Sequence, residues 1–177
     1  MNTRVVRHGA ILAILIGIAG AVPAQASERQ PAAYVMTVYD NVSHGQAILD
    51  GPAEEAIARL ASRHRKDLLT DRTNLCVAYV KAKQIGKAAD ACDSAIRASE
   101  SEARRLKLSE PFGRRSDRIA DTGRAIALTN RGVVHALAGE TDRARVMFEK
   151  AMLLDSTEDS AAGNLARLDR RIAARTY

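Results

Sequence analysis

The feature that most constrains the fold is a recurring pattern of asparagine, small and apolar residues. One copy begins at Asn74 and a second at Asn130, and the opening of a third appears at Asn164, 34 residues after the second. In the first two copies a small residue stands 12 positions before an Ala, and another Ala follows seven residues later. Self-similarity at a period of 20 to 50 residues is typical of chains that stack copies of one structural unit. These small positions are Cys76, Ala88 and Ala95 in the first copy and Gly132, Ala144 and Ala151 in the second.

The composition indicates that the repeated unit is helical. Hydrophobic residues make up 46% of the 177 residues, which excludes a disordered chain, and much of that fraction is the strong helix former Ala. Val and Ile rarely alternate with polar residues, so the pattern does not favour an all-β fold. Two cysteines and four scattered histidines argue against a disulfide scaffold and against a zinc site. We expect an all-α domain large enough to fold alone.

The period of 34 residues resembles that of the tetratricopeptide repeat (TPR), whose unit is two antiparallel helices with the pattern Trp-x2-Leu-Gly-x2-Tyr, Ala-x3-Phe and Pro. Small residues and a large apolar residue carry the likeness in both copies. The second copy departs from the pattern at Leu128, Arg131, His135 and Ser156, and the first at Cys76 and Cys92. The matching residues are Leu75, Tyr79 and Ala88 in the first copy and Gly132, Ala144 and Phe148 in the second, with Gly139 at the inter-helix turn.

The resemblance implies an antiparallel helix-hairpin array, or α-solenoid, over residues 51–177. We place the repeats at about 69–102 and 125–158. A closing helix at about 159–175 would cap the array, because a terminal repeat must turn a polar face to solvent. Residues 48–60 resemble the turn and second helix of a degenerate earlier repeat.

Two stretches do not fit the repeat. An insertion at about 103–124 contains the break Pro111-Phe112-Gly113, and we interpret it as a long helix, a loop at 109–114 and an early start of the next helix. The segment 27–50 contains the β-prone run Tyr34 to Tyr39 but no partner strand is evident. It is therefore predicted to be extended and linker-like.

The first 26 residues are predicted to be a signal peptide. Arg4 and Arg7 precede the uncharged, largely apolar run Gly9–Val22, and Pro23 and the sequence Ala24-Gln25-Ala26 follow it. Fourteen helical residues span about 21 Å, less than the ~30 Å hydrocarbon core of a membrane. We expect cleavage after Ala26 and no stable membrane insertion afterwards, with a retained anchor as the alternative.

Export would limit the possible partners. Cleavage removes two arginines and no acidic residue, which lowers the formal net charge from +6 to +4. A periplasmic or secreted protein meets little nucleic acid and no nucleotide pool, so neither nucleic-acid binding nor ATP-dependent chemistry is expected. The phosphate-binding pattern Gly-x4-Gly-Lys-Ser/Thr is absent from the sequence.

The titratable residues do not suggest a catalytic site. Ser43-His44 has no orienting acid nearby in sequence, and His64 lies among charged residues at a helix end. His135 occupies the Tyr position of the repeat, which indicates packing, and the pair Glu54-Glu55 suits a helix N-terminus. We therefore expect no enzymatic activity, no cofactor and no metal site; a hydrolase with an unrecognised site is the weakest alternative.

Cys76 and Cys92 are candidates for a disulfide bond. In a hairpin that turns near Gln84, each lies eight residues from the turn, so both are about 12 Å from it along the helices. Both occupy core-facing repeat positions, and an oxidising compartment would favour the bond. Two small buried thiols are the alternative.

The resemblance also implies a binding surface, an inner groove lined by the first helix of each repeat. Such a groove would be apolar along its middle and basic at one end, which suits a short segment with aliphatic side chains and a carboxylate. The alternative is that the arginines form the solvated face of a capping helix. Asn74, Asn130 and Asn164 recur in register, but no matching lysines complete a carboxylate clamp. The candidate groove residues are Val77, Val80, Lys81, Val133, Ala136, Leu137, Arg167, Arg170 and Arg171.

Together these observations predict a non-catalytic, exported protein–protein interaction module that binds a peptide or protein segment in its inner groove. The alternative is a structural or assembly subunit of an envelope complex that uses its convex surface or the insertion. The two differ in whether the insertion orders only within a complex.

Overall fold

The computed structural model describes residues 12–13, 33–42, 44–62, 68–109 and 114–175. Over these residues the regular secondary structure is helical apart from one short pair of strands, which confirms the all-α class. The signal peptide predicted at 1–26 lies outside the described residues except for Leu12–Ala13. Among the described helices, none is both long and apolar enough to cross a membrane.

Seven helices and two strands make up this described part of the chain. The strands β1 and β2 pair antiparallel, with Leu12 opposite Met36 and Ala13 opposite Val35. The elements are β1 (Leu12–Ala13), β2 (Val35–Met36), α1 (Gly45–Asp50), α2 (Ala53–Ala61), α3 (Leu69–Lys81), α4 (Ile85–Ser109), α5 (Arg114–Leu137), α6 (Thr141–Leu154) and α7 (Asp159–Ala173).

From α2 onward, each helix packs against the next one along the chain, from α2 on α3 to α6 on α7. In addition, α3 contacts α5 and α5 contacts α7, so these three alternate helices lie side by side and form a continuous face. Strand β2 contacts α5 and α7, which places the chain's N-terminal extended stretch on that face.

Small residues allow α5 and α6 to pack closely. A Cβ placed on Gly132 would come within 2.5 Å of the Phe148 ring, and the Phe148 side chain is fully buried. Ala144 is also fully buried, one helical turn before Phe148. The small residues of the sequence pattern therefore lie where the helices approach each other.

A disulfide bond joins α3 to α4. The Cys76 and Cys92 sulfur atoms are bonded, and the two Cα atoms are 5.1 Å apart, a common Cα separation for this bond. Both residues are fully buried in the main hydrophobic core. The bond closes a sequence separation of 16 residues.

The segment predicted as linker-like differs from that expectation in two ways. Helix α1 begins at Gly45, inside the predicted linker, because the chain turns sharply there: the Gly45 N–H donates to Val42 O and His44 has a φ of +60°. A Cβ on Gly45 would lie 2.0 Å from the Tyr39 carbonyl oxygen, so this turn requires glycine. Upstream of the turn, the extended run is packed against α5 and α7 rather than free, and β2 within it does have a partner strand.

The 22 excess residues between the first two copies of the sequence pattern lengthen both helices that flank them. Helix α4 runs to Ser109, and α5 begins at Arg114, which leaves a short connection between the two. The insertion therefore extends one pair of packed helices.

Candidate functional site

The candidate site is the face formed by α3, α5 and α7, which carries one buried asparagine on each helix. Asn74 is on α3, Asn130 on α5 and Asn164 on α7, and none is more than 1% exposed. We call this surface the asparagine face. The three residues line up because each begins a copy of the same sequence pattern.

An extended segment of the same chain, residues 34–39, lies on the asparagine face; we call it the docked segment. Each asparagine binds the backbone of one of its residues through both halves of the side-chain amide. Asn164 Oδ1 accepts from the Val35 N–H at 2.8 Å, and Asn164 Nδ2 donates to Val35 O at 2.7 Å. Asn130 binds Thr37 in the same way at 2.9 Å for both bonds.

The pattern continues at the third asparagine. Asn74 Oδ1 accepts from the Tyr39 N–H at 2.9 Å, and its Nδ2 donates to Tyr39 O at 3.0 Å and to Val42 O at 3.2 Å. The bound residues are every second residue because alternate N–H and C=O groups of an extended strand point to the same edge. Successive asparagines therefore match about 7 Å of strand. The docked segment runs from α7 to α3, opposite to the order of the helices.

The side chains of the three residues that alternate with the asparagine-bound ones enter the hydrophobic core. Tyr34, Met36 and Val38 are at most 6% exposed and belong to the main hydrophobic cluster. Val77 of α3 and Val133 of α5 belong to the same cluster. The asparagine face therefore binds both the backbone of an extended segment and three of its alternate side chains.

Two charged side chains contact the docked segment. The Arg171 guanidinium carbon lies 4.7 Å from the centre of the Tyr34 ring, within range of a cation–π interaction. Thr37 Oγ1 lies 3.5 Å from Glu158 Oε1, at the outer limit of a hydrogen bond. Glu158 also caps α7, because its Oε2 accepts from the Ala161 N–H at 3.0 Å.

The far end of the docked segment lies in a negative environment. Burial is the main cause that raises the pKa of the Tyr39 phenol well above its ordinary value, and the charges of Glu102 and Glu158 raise it further. A Cβ placed on Gly123 of α5 would lie 3.7 Å from Tyr39 Oη, so the phenol reaches across to that helix.

The structure places the predicted groove residues in different surroundings. Val77 and Val133 lie in the cluster that receives the docked segment, Val80 is fully buried, and Ala136 and Leu137 are half-buried against the core. Among the three arginines, Arg171 contacts the docked segment, whereas Arg167 is half-buried and Arg170 is exposed.

The Lys81 ammonium group binds backbone carbonyls at the end of α1. Its Nζ donates to the carbonyl oxygens of Ile48, Leu49 and Gly51 at 2.7 to 3.2 Å. The last carbonyls of a helix lack partners within it, and a cation near them is favourable. Lys81 therefore fixes the C-terminal end of α1 to α3, and its role as a groove residue stays a prediction.

Sequence reasoning noted the recurring asparagines but did not assign them as the binding residues, and it missed Glu158. Two signals read together would have found the site: three asparagines in register, and one β-prone run without a partner strand. The alternation from Tyr34 to Tyr39 is that of an extended segment with one buried face.

Among the other titratable candidates, His135, Glu54 and Glu55 lie where helix packing or helix capping accounts for them. His64 lies outside the described residues. His135 is buried, and its hydrogen bond is the main cause that lowers the pKa of the Glu140 carboxyl. Glu54 and Glu55 lie in the first turn of α2, where Glu55 pairs with Arg59. Across the described residues, no group of three or more His, Cys, Asp or Glu could hold a metal ion.

Comparisons with known proteins found no match, so the function is inferred from the geometry of the asparagine face. No protein-family model matches the chain, and no curated protein and no solved structure matches it either.

Proposed function

We propose that this chain is a non-catalytic interaction module of TPR-like helix hairpins that binds an extended peptide segment on its asparagine face. The observation that carries the proposal is the set of paired amide hydrogen bonds from Asn74, Asn130 and Asn164 to alternate residues of the docked segment. These side chains recognise main chain, the part that every peptide shares.

The helix order supports the array architecture. The pairs α3–α4 and α5–α6 each follow one copy of the sequence pattern, and α7 packs on α6 as a closing helix. In such an array the first helices of successive hairpins lie side by side, as α3, α5 and α7 do. One asparagine per first helix then produces a regular row of backbone-binding sites.

In this proposal the docked segment holds the place of the partner. An extended peptide that adds to a protein surface gains affinity from main-chain hydrogen bonds and specificity from pockets for alternate side chains. The asparagine face offers both, and its pockets now hold Tyr34, Met36 and Val38. A partner would bind when the docked segment leaves.

Binding of a synthetic peptide tests the proposal. In the full chain with Thr37→Pro, residue 37 has no N–H to donate to Asn130 Oδ1. Its docked segment should therefore be released more readily. We expect a peptide of residues 33–42 to bind this variant and to bind the unchanged chain far more weakly, as measured by fluorescence anisotropy.

Two N-methylated peptides provide the control. Methylation of the Thr37 nitrogen removes a bond to Asn130, whereas methylation of the Val38 nitrogen alters a group on the opposite edge of the strand. We expect the first to abolish binding and the second to weaken it less. Failure of the unmodified peptide to bind a folded Thr37→Pro variant would refute the proposed function.

An assembly role is the second candidate, and the long α4–α5 pair favours it. These helices have 25 and 24 residues, and Leu108 near the end of α4 is 86% exposed. If this pair joins a complex, Leu108→Ser should remove co-purifying partners while peptide binding to the asparagine face is unchanged.

Export remains part of the proposal. Mass spectrometry of the protein from its native host should give a mature N-terminus at Ser27. An uncut, membrane-bound chain would refute the cleavage.

A further inference from the structure

The docked segment fits the asparagine face less well at one position than at the others. The Thr37 backbone forms two bonds of 2.9 Å with Asn130, but its side chain reaches Glu158 only at 3.5 Å. Thr37 is half-buried and its side chain is short, so the contact brings one hydroxyl to the edge of a carboxylate. A neutral hydroxyl does not form an ion pair with that carboxylate.

Glu158 is held in place without a cationic partner. Ser160 Oγ donates to both of its carboxylate oxygens at 2.6 and 2.7 Å, and Thr129 Oγ1 lies 3.4 Å from Oε2. No Lys, Arg or His lies within ion-pair distance of Glu158 among the described residues. The N-terminus of α7 favours its negative charge, so the group is a fixed anion beside the middle of the docked segment.

A second acidic residue makes the surroundings of the segment's C-terminal half negative. Glu102 and Glu158 both act on the Tyr39 phenol, as the raised pKa of that group indicates. Among the described residues, the cation that contacts the docked segment is Arg171, which lies over the Tyr34 ring at the opposite end. The charge along the face thus changes from positive at the Tyr34 end to negative at the centre.

We propose that the partner of the asparagine face is an extended segment of another protein that carries Lys or Arg at the position of Thr37. It would place an aromatic residue at the position of Tyr34 and apolar residues at those of Met36 and Val38. This proposal rests on the proposed function and adds the chemistry of the ligand.

The physical reason is charge complementarity at a half-buried carboxylate. A Lys or Arg at the Thr37 position points to the same side as Thr37 and can reach Glu158 with its charged end. Charge-assisted hydrogen bonds are shorter and about twice as strong as neutral ones. The chain's own segment lacks this interaction, so it is a weaker occupant that a matching partner can replace. This preference is opposite to the carboxylate-bearing ligand that the three arginines suggest in the sequence.

Peptide binding to the full chain with Thr37→Pro tests the proposal. Four peptides of residues 33–42 would differ only at the Thr37 position, where they carry Thr, Lys, norleucine or Glu. Norleucine supplies the aliphatic length of Lys without its charge. We expect the Lys peptide to bind about tenfold more tightly than the norleucine peptide at low salt, and the Glu peptide to bind least. The advantage of Lys should shrink as salt rises.

Matched variants of the protein locate the effect. In the same background, Glu158→Gln should remove the advantage of Lys over norleucine, since the amide can still cap α7 but carries no charge. The control Glu149→Gln changes an exposed glutamate of α6 and should preserve the advantage. Equal affinity for Lys and norleucine, or an advantage that survives Glu158→Gln, would overturn the proposal.

The outcomes separate this inference from the proposed function. If the Thr peptide binds but Lys brings no gain, the face binds peptides and the ligand chemistry is wrong. If no peptide binds a folded variant, both fail. A dimer of the unchanged chain that the Lys peptide does not dissociate would assign the face to a second copy and would also overturn the proposal.

A measurement within one chain covers the case in which Thr37→Pro does not fold. Thr37→Lys in the otherwise unchanged chain should raise the midpoint of thermal unfolding, and Thr37→Glu should lower it. Both shifts should disappear in the Glu158→Gln background, as in a double-mutant cycle. Shifts that are the same with and without Glu158 would contradict the assignment.

Discussion

At the scale of single residues, the site depends on the chemistry of the carboxamide. An asparagine side chain offers one carbonyl acceptor and an amino donor, the same pair of groups as a peptide bond. Asn130 is 1% exposed and uses both groups on Thr37, so neither is left buried without a partner. Replacing it leaves the backbone groups of Thr37 without their partners, and such unpaired groups are costly when buried.

We expect Asn130→Ala to lower the free energy of unfolding by about 2–4 kcal/mol, because two partly buried hydrogen bonds are lost. Chemical denaturation with urea measures the change. Asn41→Ala is the matched control, since Asn41 is exposed, and its effect should stay within about 0.5 kcal/mol. Similar effects of the two substitutions would contradict the role of Asn130.

The Tyr39 phenol makes the stability depend on alkaline pH. Its pKa is higher in the folded chain than the ordinary value of about 10, so above that pH the unfolded state loses this proton first. The unfolded state then binds fewer protons, and stability falls as pH rises. We expect the unchanged chain to lose more stability between pH 9 and pH 11 than Tyr39→Phe, as measured by urea denaturation. Equal losses would show that Tyr39 does not contribute.

At the scale of elements, α3 and α4 are held together by the Cys76–Cys92 bond, which closes a separation of 16 residues. On the chain-entropy model, a disulfide bond that closes a loop of this size stabilises the folded state by about 3 kcal/mol. The variant with both cysteines changed to Ala should lose about that amount, and its urea midpoint should not respond to reductant. A variant as stable as the oxidised chain would contradict this estimate.

The contact between α5 and α6 gives another expectation. Gly132→Ala places a methyl group against the Phe148 ring and should cost about 1–3 kcal/mol, because the ring must move within a packed core. Gly86→Ala is the control, since no atom lies within 4 Å of the added Cβ there and Ala is the better helix former. Thermal unfolding distinguishes them: the first should lower the midpoint, and the second should keep or raise it.

The helices could be predicted from the sequence because small and apolar residues recur where helices touch. Gly132, Ala144 and Phe148 identify a close helix crossing by their sizes alone. The site could be predicted only in part, because a β-prone run such as Tyr34 to Tyr39 indicates pairing with another strand, whereas most of this run is bound by side-chain amides on three helices. Lys81 shows the same limit, since the sequence does not indicate that α1 ends beside it.

At the scale of the whole molecule, the docked segment connects parts of the chain that are distant in sequence. Its bonds to Asn74, Asn130 and Asn164 span 35, 93 and 129 residues. From α2 onward the helices otherwise pack mainly on their neighbours along the chain. One segment that is bonded to α3, α5 and α7 therefore adds long-range order, and the loss of any asparagine should weaken the association of all three helices with the segment.

Under the proposed function, the docked segment would compete with the partner, and its local concentration would not change on dilution because it is tethered to the surface it occupies. Tethers of this kind give effective concentrations on the order of millimolar. A free partner binds only the open fraction, so its apparent dissociation constant equals the intrinsic one divided by that fraction. If the face were open about 1% of the time, affinity would fall about a hundredfold. Under the proposed function, the tether would thus raise the peptide concentration needed for binding by the same factor at any abundance of the protein, which favours ligands that bind more tightly than the built-in sequence.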